Sequence, residues 1–468
     1  MTQVWREVVS PRSALLENGR ALRGHGHATH DGAIIMRVLG VGDSNDLGAL
    51  YLRLAAAGHE VRVHVRHHES RDVLEGMLRQ SVDWREELPW VGADPDGVVV
   101  FEDTGWGESQ DTLRREGFRV VGGSAVGDRL ELDRAYAQKV LGEAGIRTAR
   151  THEFEGFESG LKFLASRGGR FVLKYSGEGF ASTRNYVGAT EGSEDTMAVL
   201  RLHRARWTYD EQPRYVLMEH VRGVEVGVGA FFDGNAFVGP PNIDFEHKRF
   251  FAGDVGELTG EMGTLVTYRG AEPLFDATLG RVAPLLREAR HVGYVNLNTI
   301  VNEDGVWPLE FTCRFGYPGF AILGALQADP WDVLLSRLCQ GRGADIQTHS
   351  GFAVGVVLTV PPFPYPDGYE RLSKGVPIFF RSDLDEEDRE ALHYGEMRLE
   401  SGQLVTAGQI GYVMVVTGRG VTVAEARSSA YARVEKVVIP NVRYRVDIGS
   451  RFERRDRAEL ARLGWLDA

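Results

Sequence analysis

Residues 294–319, "YVNLNTIVNEDGVWPLEFTCRFGYPG", restrict the fold more than any other stretch of the chain. Two apolar runs meet at the turn "NEDG", the pattern of a β-hairpin, so this part of the chain belongs to a sheet. The first strand carries Asn298 and the second carries Glu310. Oxygen ligands aimed the same way from adjacent strands suit Mg²⁺, which keeps most of its waters and takes only one or two carboxylates from protein. Arg314 follows in the same segment, where a guanidinium could stabilise charge developing on a transferring phosphoryl group or clamp an acyl phosphate. A surface hairpin closed by a salt bridge has the same pattern, so this segment does not decide the function alone.

The rest of the chain alternates strand and helix. "MRVLGVG" from Met36 reads as a buried strand, "DLGALYLRLAAAGH" as an amphipathic helix on the Leu47, Leu50, Leu54 spacing, and "EVRVHVR" as the next strand. With "GVVVFED" (97–103) and "GFRVVGG" (117–123), this predicts a doubly wound α/β domain over 36–128, with ligand loops at the strand C-termini. Its first turn, "GVGDSNDLG", is not a dinucleotide fingerprint and reads equally as a phosphate contact or a plain turn. A helix is expected over 130–146, ended by Gly145. A two-lobed unit then spans 129–345, its small lobe about 147–222, followed by a separate α+β domain at 346–449 and a helical tail at 450–468. The overall class is α/β and α+β, multidomain.

Composition excludes several roles. A net charge of -12, with no long basic run, gives no nucleic-acid or anionic-membrane surface. No run of ~18 apolar residues is present and the first ~35 residues lack an apolar signal core, so the expectation is a soluble, cytoplasmic protein. Cys313 and Cys339 then fit reduced thiols. Residues 1–35 read as a flexible extension, in which His25, His27, His30 and Asp31 offer metal-ligand types without an ordered frame. The oligomeric state is not legible.

Three further segments bear on chemistry. In "RFVLKYSGEGFAS", Lys174 on a strand leads into Gly177 and Gly179, which would let a loop close over phosphates that the lysine neutralises. A snorkelling lysine before an ordinary turn looks the same. In "YVLMEHVRGVEVGVGAFFDG", an apolar strand runs into Glu219 and Val221, whose backbone is placed to read an adenine edge, and Glu225 beyond could accept from ribose hydroxyls or be a solvated turn residue. In 242–263, "NIDFEHKRFFAGDVGELTGEMG", Lys248 and Arg249 beside Gly260 and Gly263 suit an anionic ligand approached by backbone. The segment is long for a structureless loop.

These four segments, in this order, resemble the ATP-grasp superfamily, and within it most closely phosphoribosylamine–glycine ligase (glycinamide ribonucleotide synthetase), from about Met36 to Gly449. The likeness is carried by "LELDRAYAQKVLGEAGIRTA", "VLMEHVRGVEV", "FEHKRFFAGDVGELTGEMG", "PLEFTCRFGYPG" and "VTGRGVTVAEARSSAYARVEKVVIPNVRYRVDIG". The resemblance implies ATP with Mg²⁺ (or Mn²⁺), small-molecule carboxylate and amine substrates, and an amide formed through an acyl phosphate with release of ADP and phosphate. It places Lys174, Gly177 and Gly179 at ATP phosphates, Glu219 and Val221 beside adenine, Glu225 on ribose and Glu310 on the metal. Arg314, Lys248 and Arg249 would serve catalysis, and Gly260, Gly263 and Tyr317 the substrate.

The departures from that family are specific. Thr312 stands where an asparagine usually binds a second metal, and Asn298 where many ATP-grasp enzymes have a carboxylate. The family's "RFGDPE" is "RFGYPG" here, with Tyr317 and Gly319 replacing carboxylates. The Gly-Arg-Glu-His run of the ribose-phosphate site is absent from the first turn. Arg134 and Gln138 stand where the family tends to have lysines, and Arg184 is offered in place of a later phosphate-loop lysine. Three readings follow: a ligase with altered substrates, glycinamide ribonucleotide synthesis itself, or a nucleotide-binding protein without catalysis.

Overall fold

The structure, a computed structural model, describes residues 8–9, 35–176, 184–343 and 345–466. The N-terminal domain is a five-stranded parallel sheet in the order Arg79–Ser81, Glu60–Val65, Arg37–Gly42, Val98–Phe101, Arg119–Val121. Along its centre, side chains alternate between two cores: Val98 and Val100 pack with Leu50 and Leu54 of helix Gly48–Ala56, while Val99 and Phe101 pack with Trp84 and Trp106. Burial on both faces is why these strands read as continuous apolar runs. The chain enters on the central strand, moves outward to one side, then crosses to the other. Its switch point therefore lies between the C-terminal ends of Arg37–Gly42 and Val98–Phe101, where open α/β sheets place ligands.

The helix expected over 130–146 is two helices, Ala125–Leu132 and Arg134–Glu143. Asp133 breaks the run: its extended backbone and its carboxylate, which accepts the Tyr136 N–H, cap the second helix. Gly145, at φ 75°, ends it as the sequence suggests.

A small lobe follows, four strands in the order Thr151–Glu155, Arg214–Glu219, Phe171–Tyr175, Tyr186–Val187, backed by helices Phe157–Arg167 and Glu194–Ala205. The rest of the molecule is organised by one eight-stranded antiparallel sheet. Its order is Gly305–Thr312, Val292–Asn302, Val224–Asp233, Phe237–Glu246, Gly263–Thr267, Phe352–Thr359, Tyr412–Gly420, Leu392–Tyr394. The boundary expected at 345–346 thus falls between two strands that are hydrogen-bonded neighbours. The helix read in "TVAEARSSAYARVEKVV" runs Val423–Val434, started by a reciprocal capping box between Thr422 and Glu425. It packs so closely on its strand that a Cβ at Gly418 would lie 2.2 Å from the Ala430 nitrogen. Helical turns Phe452–Asp456 and Arg457–Arg462 form the tail, with the Phe452 ring tilted against Phe245 of the sheet, centroids 4.5 Å apart.

Within the leading extension, Val8–Val9 pairs antiparallel with Phe380 and Arg381. His25, His27, His30 and Asp31 lie outside the described residues, as do Gly177 and Gly179.

Candidate active site

Strand alternation positions the small-lobe lysine. Phe171, Leu173 and Tyr175 enter the lobe's core, which turns Val172 and Lys174 to the opposite face, towards the large sheet. Val172, Lys174, Val187 and Met218 then form one wall of an inter-lobe cavity of about 470 Å³, with Ile300 and Leu309 opposite. This volume and its apolar walls suit a nucleotide-sized ligand. Glu219, Val221, Glu225 and Arg249 line the same cavity. Glu219 is paired with Arg167 at 3.1 Å, and Arg249 donates to the Gly256 carbonyl at 2.7 Å, closing the hairpin Arg249–Phe251/Val255–Leu258 beside the cavity.

The large sheet presents a polar face built by the same period of two. In "YVNLN", Val295 and Leu297 go to the core and Tyr294, Asn296 and Asn298 to the other side. In "IDFEHK", Ile243 and Phe245 go inward, while Asp244, Glu246 and, beyond the strand, Lys248 face the site. His247 points the opposite way, and burial, with Arg451 and Arg445 nearby, lowers its pKa to about 4, so it is neutral near pH 7. Space for this polar layer comes from Gly227 and Gly229: a Cβ at the first would lie 2.1 Å from Asp244 Oδ1, and at the second 2.0 Å from the Tyr294 hydroxyl.

Asn298 and Glu310 are cross-strand partners, as the hairpin implied. Glu310 Oε2 accepts from Arg134 Nη1 and Lys174 Nζ, each at 2.9 Å, and Oε1 from Lys248 Nζ at 3.0 Å. Lys174 chiefly, then Lys248 and Arg134 against the cost of burial, hold the Glu310 carboxyl well below its ordinary range. Lys248 Nζ also lies 3.2 Å from Glu225 and 3.1 Å from Glu246. Burial pulls its pKa down, but Glu246, Glu310 and Glu225 outweigh burial and raise it well above the usual lysine value. One ammonium thus sits among three carboxylates. Asn298 donates its amide to Glu225 at 2.9 Å and to Glu246 at 3.3 Å, while its Oδ1 has no partner.

Beneath Glu310 and Lys248, a second cavity of about 180 Å³ shares Glu246, Gly260 and both of those residues with the first. Thr312, Arg314 and Tyr317 line it. Arg314 is anchored by Glu131, 3.2 Å away, which also accepts the Cys313 N–H at 2.8 Å. Gly263 lies instead in the sheet, where its φ of 144° and a Cβ position 2.4 Å from the Gly355 carbonyl exclude a side chain.

Sequence reasoning did not name Arg134, Glu246, Asp244 or Glu261 as site residues. The alternation Asp244, Glu246, Lys248 was a legible signal for two of them; Arg134 was marked only as standing where the family tends to have a lysine, and Glu261 carried no signal. Among the described residues no group of three or more His, Cys, Asp or Glu side chains stands clustered as a ready metal site, since Lys248 and Asn298 separate the carboxylates.

The family described as phosphoribosylglycinamide synthetase, ATP-grasp (A) domain, matches residues 132–320, and phosphoribosylglycinamide synthetase, C domain, matches 353–451. Phosphoribosylamine–glycine ligases of Listeria monocytogenes and of a Nostoc species are 28% and 29% identical over 352 and 353 residues. Each alignment covers 73% of this chain, with 81% and 80% of the relative. The crystal structure of phosphoribosylamine–glycine ligase from Thermotoga maritima superposes with a TM-score of 0.66 at 25% identity, covering 88% of this chain and 100% of that one. A biotin carboxylase from Campylobacter jejuni, at 12% identity and a TM-score of 0.59, shares the fold over 91% of this chain and 98% of its own.

Proposed function

The chain belongs to the ATP-grasp superfamily, with the ATP-grasp and C domains of phosphoribosylglycinamide synthetase, and from that premise we propose how this ligase uses its two cavities. The larger cavity takes ATP, with adenine among Val172, Val187, Met218 and Ile300, its edge at the backbone of Glu219 to Val221, and ribose hydroxyls at Glu225. Lys174 and Arg134 carry charge that phosphate oxygens can take up. Glu310, relieved of them, then has oxygens for a divalent cation.

The residues fit such a cation: three carboxylates already converge on one positive charge, and the orphaned Asn298 Oδ1 is a neutral oxygen ligand of the right kind. Glu310 and Asn298, with Glu246, would hold Mg²⁺ or Mn²⁺; Thr312, two residues beyond Glu310 on the same strand, has only a hydroxyl to offer. The bound ion supplies charge neutralisation between phosphates. Lys248 and Arg314 hold the acid's carboxylate at the junction of the cavities and balance the charge on the acyl phosphate that forms from it. Arg249 closes the hairpin over the nucleotide, and Gly260 lets backbone approach where the cavities meet. Closure over this junction excludes water, which would otherwise hydrolyse the acyl phosphate.

The observation that carries this reading is that Glu310 and Lys248 line both cavities, which puts a γ-phosphate and an acid within reach of the same charges. The matches favour a working ligase over a nucleotide-binding protein without catalysis. Glycinamide ribonucleotide synthesis, the activity named for the relatives, is the second reading, supported by the C-domain match. A cytoplasmic location accords with these relatives and with the lack, among the described residues, of any helix able to cross a membrane.

Purified protein with ATP and Mg²⁺ should release ADP only when a suitable acid and amine are both present, and Glu310→Ala should abolish the release. Turnover that survives Glu310→Ala would remove Glu310 from the centre of the site.

A further inference from the structure

The part of the second cavity that lies beyond Glu246 holds buried acceptors with no donor to meet them. Side chains pair across the sheet: Asn298 donates to Glu246 at 3.3 Å, and the next pair along the same two strands is Asn296 with Asp244, at 2.6 Å. Asp244 therefore sits one strand repeat, about 7 Å, further from the larger cavity. Its Oδ2 accepts from both Asn296 and Asn242, but its Oδ1 has no partner among the described residues. The same holds for Glu261 Oε1 and Thr264 Oγ1. Asp244, Glu261 and Thr264 are only 4%, 7% and 2% exposed, and all three line the second cavity and not the larger one. Buried acceptors left without donors call for a ligand that donates.

The segment that supplies Glu261 is held in place. The Tyr412 hydroxyl donates to the Glu261 carbonyl, and the Thr259 and Met262 N–H groups donate to the Lys248 and His247 carbonyls at 2.8 and 2.9 Å. Of the cations lining the cavity, Lys248 is divided among Glu225, Glu246 and Glu310, and Arg314 is anchored by Glu131. Burial, then Glu246, pushes the Asp244 carboxyl up to about 7, and burial, then Glu246 and Asp244, holds Glu261 well above the ordinary range, in both cases against the pull of Lys248. This end of the cavity is short of positive charge.

We propose that the acid joined by this ligase is an α-amino acid larger than glycine, whose ammonium donates to Asp244 Oδ1 and Glu261 Oε1. A cavity of about 180 Å³ holds one small molecule, so both oxygens serve the same ligand. Since a cavity of about 150 Å³ is filled by benzene, this one takes roughly six to eight non-hydrogen atoms, more than glycine has. With the carboxylate at Lys248 and Arg314 and the ammonium at Asp244 and Glu261, the side chain has Val266 and Leu323 as its apolar wall. An ammonium has no lone pair, so the acid's own nitrogen, held by carboxylates, is kept from attacking the acyl phosphate. The nitrogen that attacks comes from the second substrate, and the pocket thereby sets which partner is acid and which is amine.

This inference rests on the ligase reading above, and one assay separates the two. The protein is given ATP, Mg²⁺ and, one at a time, each of the twenty amino acids and the carboxylic acid of the same skeleton without its amino group. Hydroxylamine replaces the amine and traps any acyl phosphate as a hydroxamate. No hydroxamate from any acid would overturn the ligase reading and this inference with it. The expectation is that an amino acid larger than glycine gives the highest kcat/KM for hydroxamate, exceeding both glycine and its own deaminated counterpart by roughly tenfold or more. Asp244→Asn should lower the ratio of amino acid to deaminated acid by a similar factor, the loss appearing in KM for the acid and not in KM for ATP. Glu261→Gln is the second variant, in case Asp244→Asn does not fold. Hydroxamate formed best from glycine, formed equally from an amino acid and its deaminated counterpart, or formed with a ratio that neither variant changes would overturn the inference and leave the ligase standing.

Discussion

At the scale of single residues, the site is governed by where charge is compensated. Lys248 neutralises three carboxylates at once, so Lys248→Met leaves Glu225, Glu246 and Glu310 repelling one another. A loss in kcat of about 10²–10³ is expected, the scale seen when one charge-stabilising group is removed from an active site; steady-state ADP release checks it. Asp244 shows the opposite case. Burial first, then Glu246, raises its pKa from 3.8 to about 7, so the folded protein binds its proton more tightly than the unfolded chain does. Stability from this group is therefore full below about pH 4, falls as pH rises, and reaches its lowest value above about 7. Asp244→Asn should remove that slope and raise the thermal midpoint at pH 8 by a few degrees, measured by scanning calorimetry across pH 4–8. An unchanged slope would assign the titration to another group. The carboxylates visible in the sequence were legible as candidates; their opposite protonation tendencies were not, because those depend on neighbours from other strands.

At the scale of elements, the period of two along three strands makes the active face. "VEVGVGA", "IDFEHK" and "YVNLN" each send apolar side chains to one core and small or polar ones to the site, and the pattern was readable before any coordinates. What the glycines in the first of them are for was not. Gly227→Ala would push a methyl group into the Asp244 carboxylate, and overpacking of this kind costs about 1–3 kcal/mol. The expected result is a lower denaturant midpoint with an unchanged m-value, and Gly227→Ala combined with Asp244→Ala should recover part of the loss. The break at Asp133 belongs to this scale too. Helical periodicity runs through it in sequence, but its extended backbone ends one helix and its carboxylate caps the start of the next, from which Arg134 reaches Glu310.

At the scale of the whole molecule, the C-terminal region holds the inter-lobe cavity in place. Its strands continue the large sheet, and Arg445, fully buried, pairs with Asp254 and Asp447 at 2.8 Å each. Arg451, which lines the cavity, pairs with Asp254 at 3.1 Å. Both arginines therefore grip the turn of the hairpin Arg249–Phe251/Val255–Leu258 from behind. Asp254 has a left-handed backbone, φ 57°, which asparagine also tolerates, so Asp254→Asn removes charge without forcing the turn. It should raise KM for ATP by roughly three- to tenfold, a loss of about 1 kcal/mol of positioning, with a smaller effect on KM for the acid. By itself the sequence determined the alternating strands, the hairpin with Asn298 opposite Glu310, and the order of segments that marks an ATP-grasp chain. Only the tertiary structure decided which charges meet: Arg134 and Glu310 are 176 residues apart, and Arg314 and Glu131 are 183 apart. Local pattern fixes which way a side chain points from its strand, but its electrostatic partners are set by pairings between strands and domains distant along the chain, and these fix the chemistry of the site.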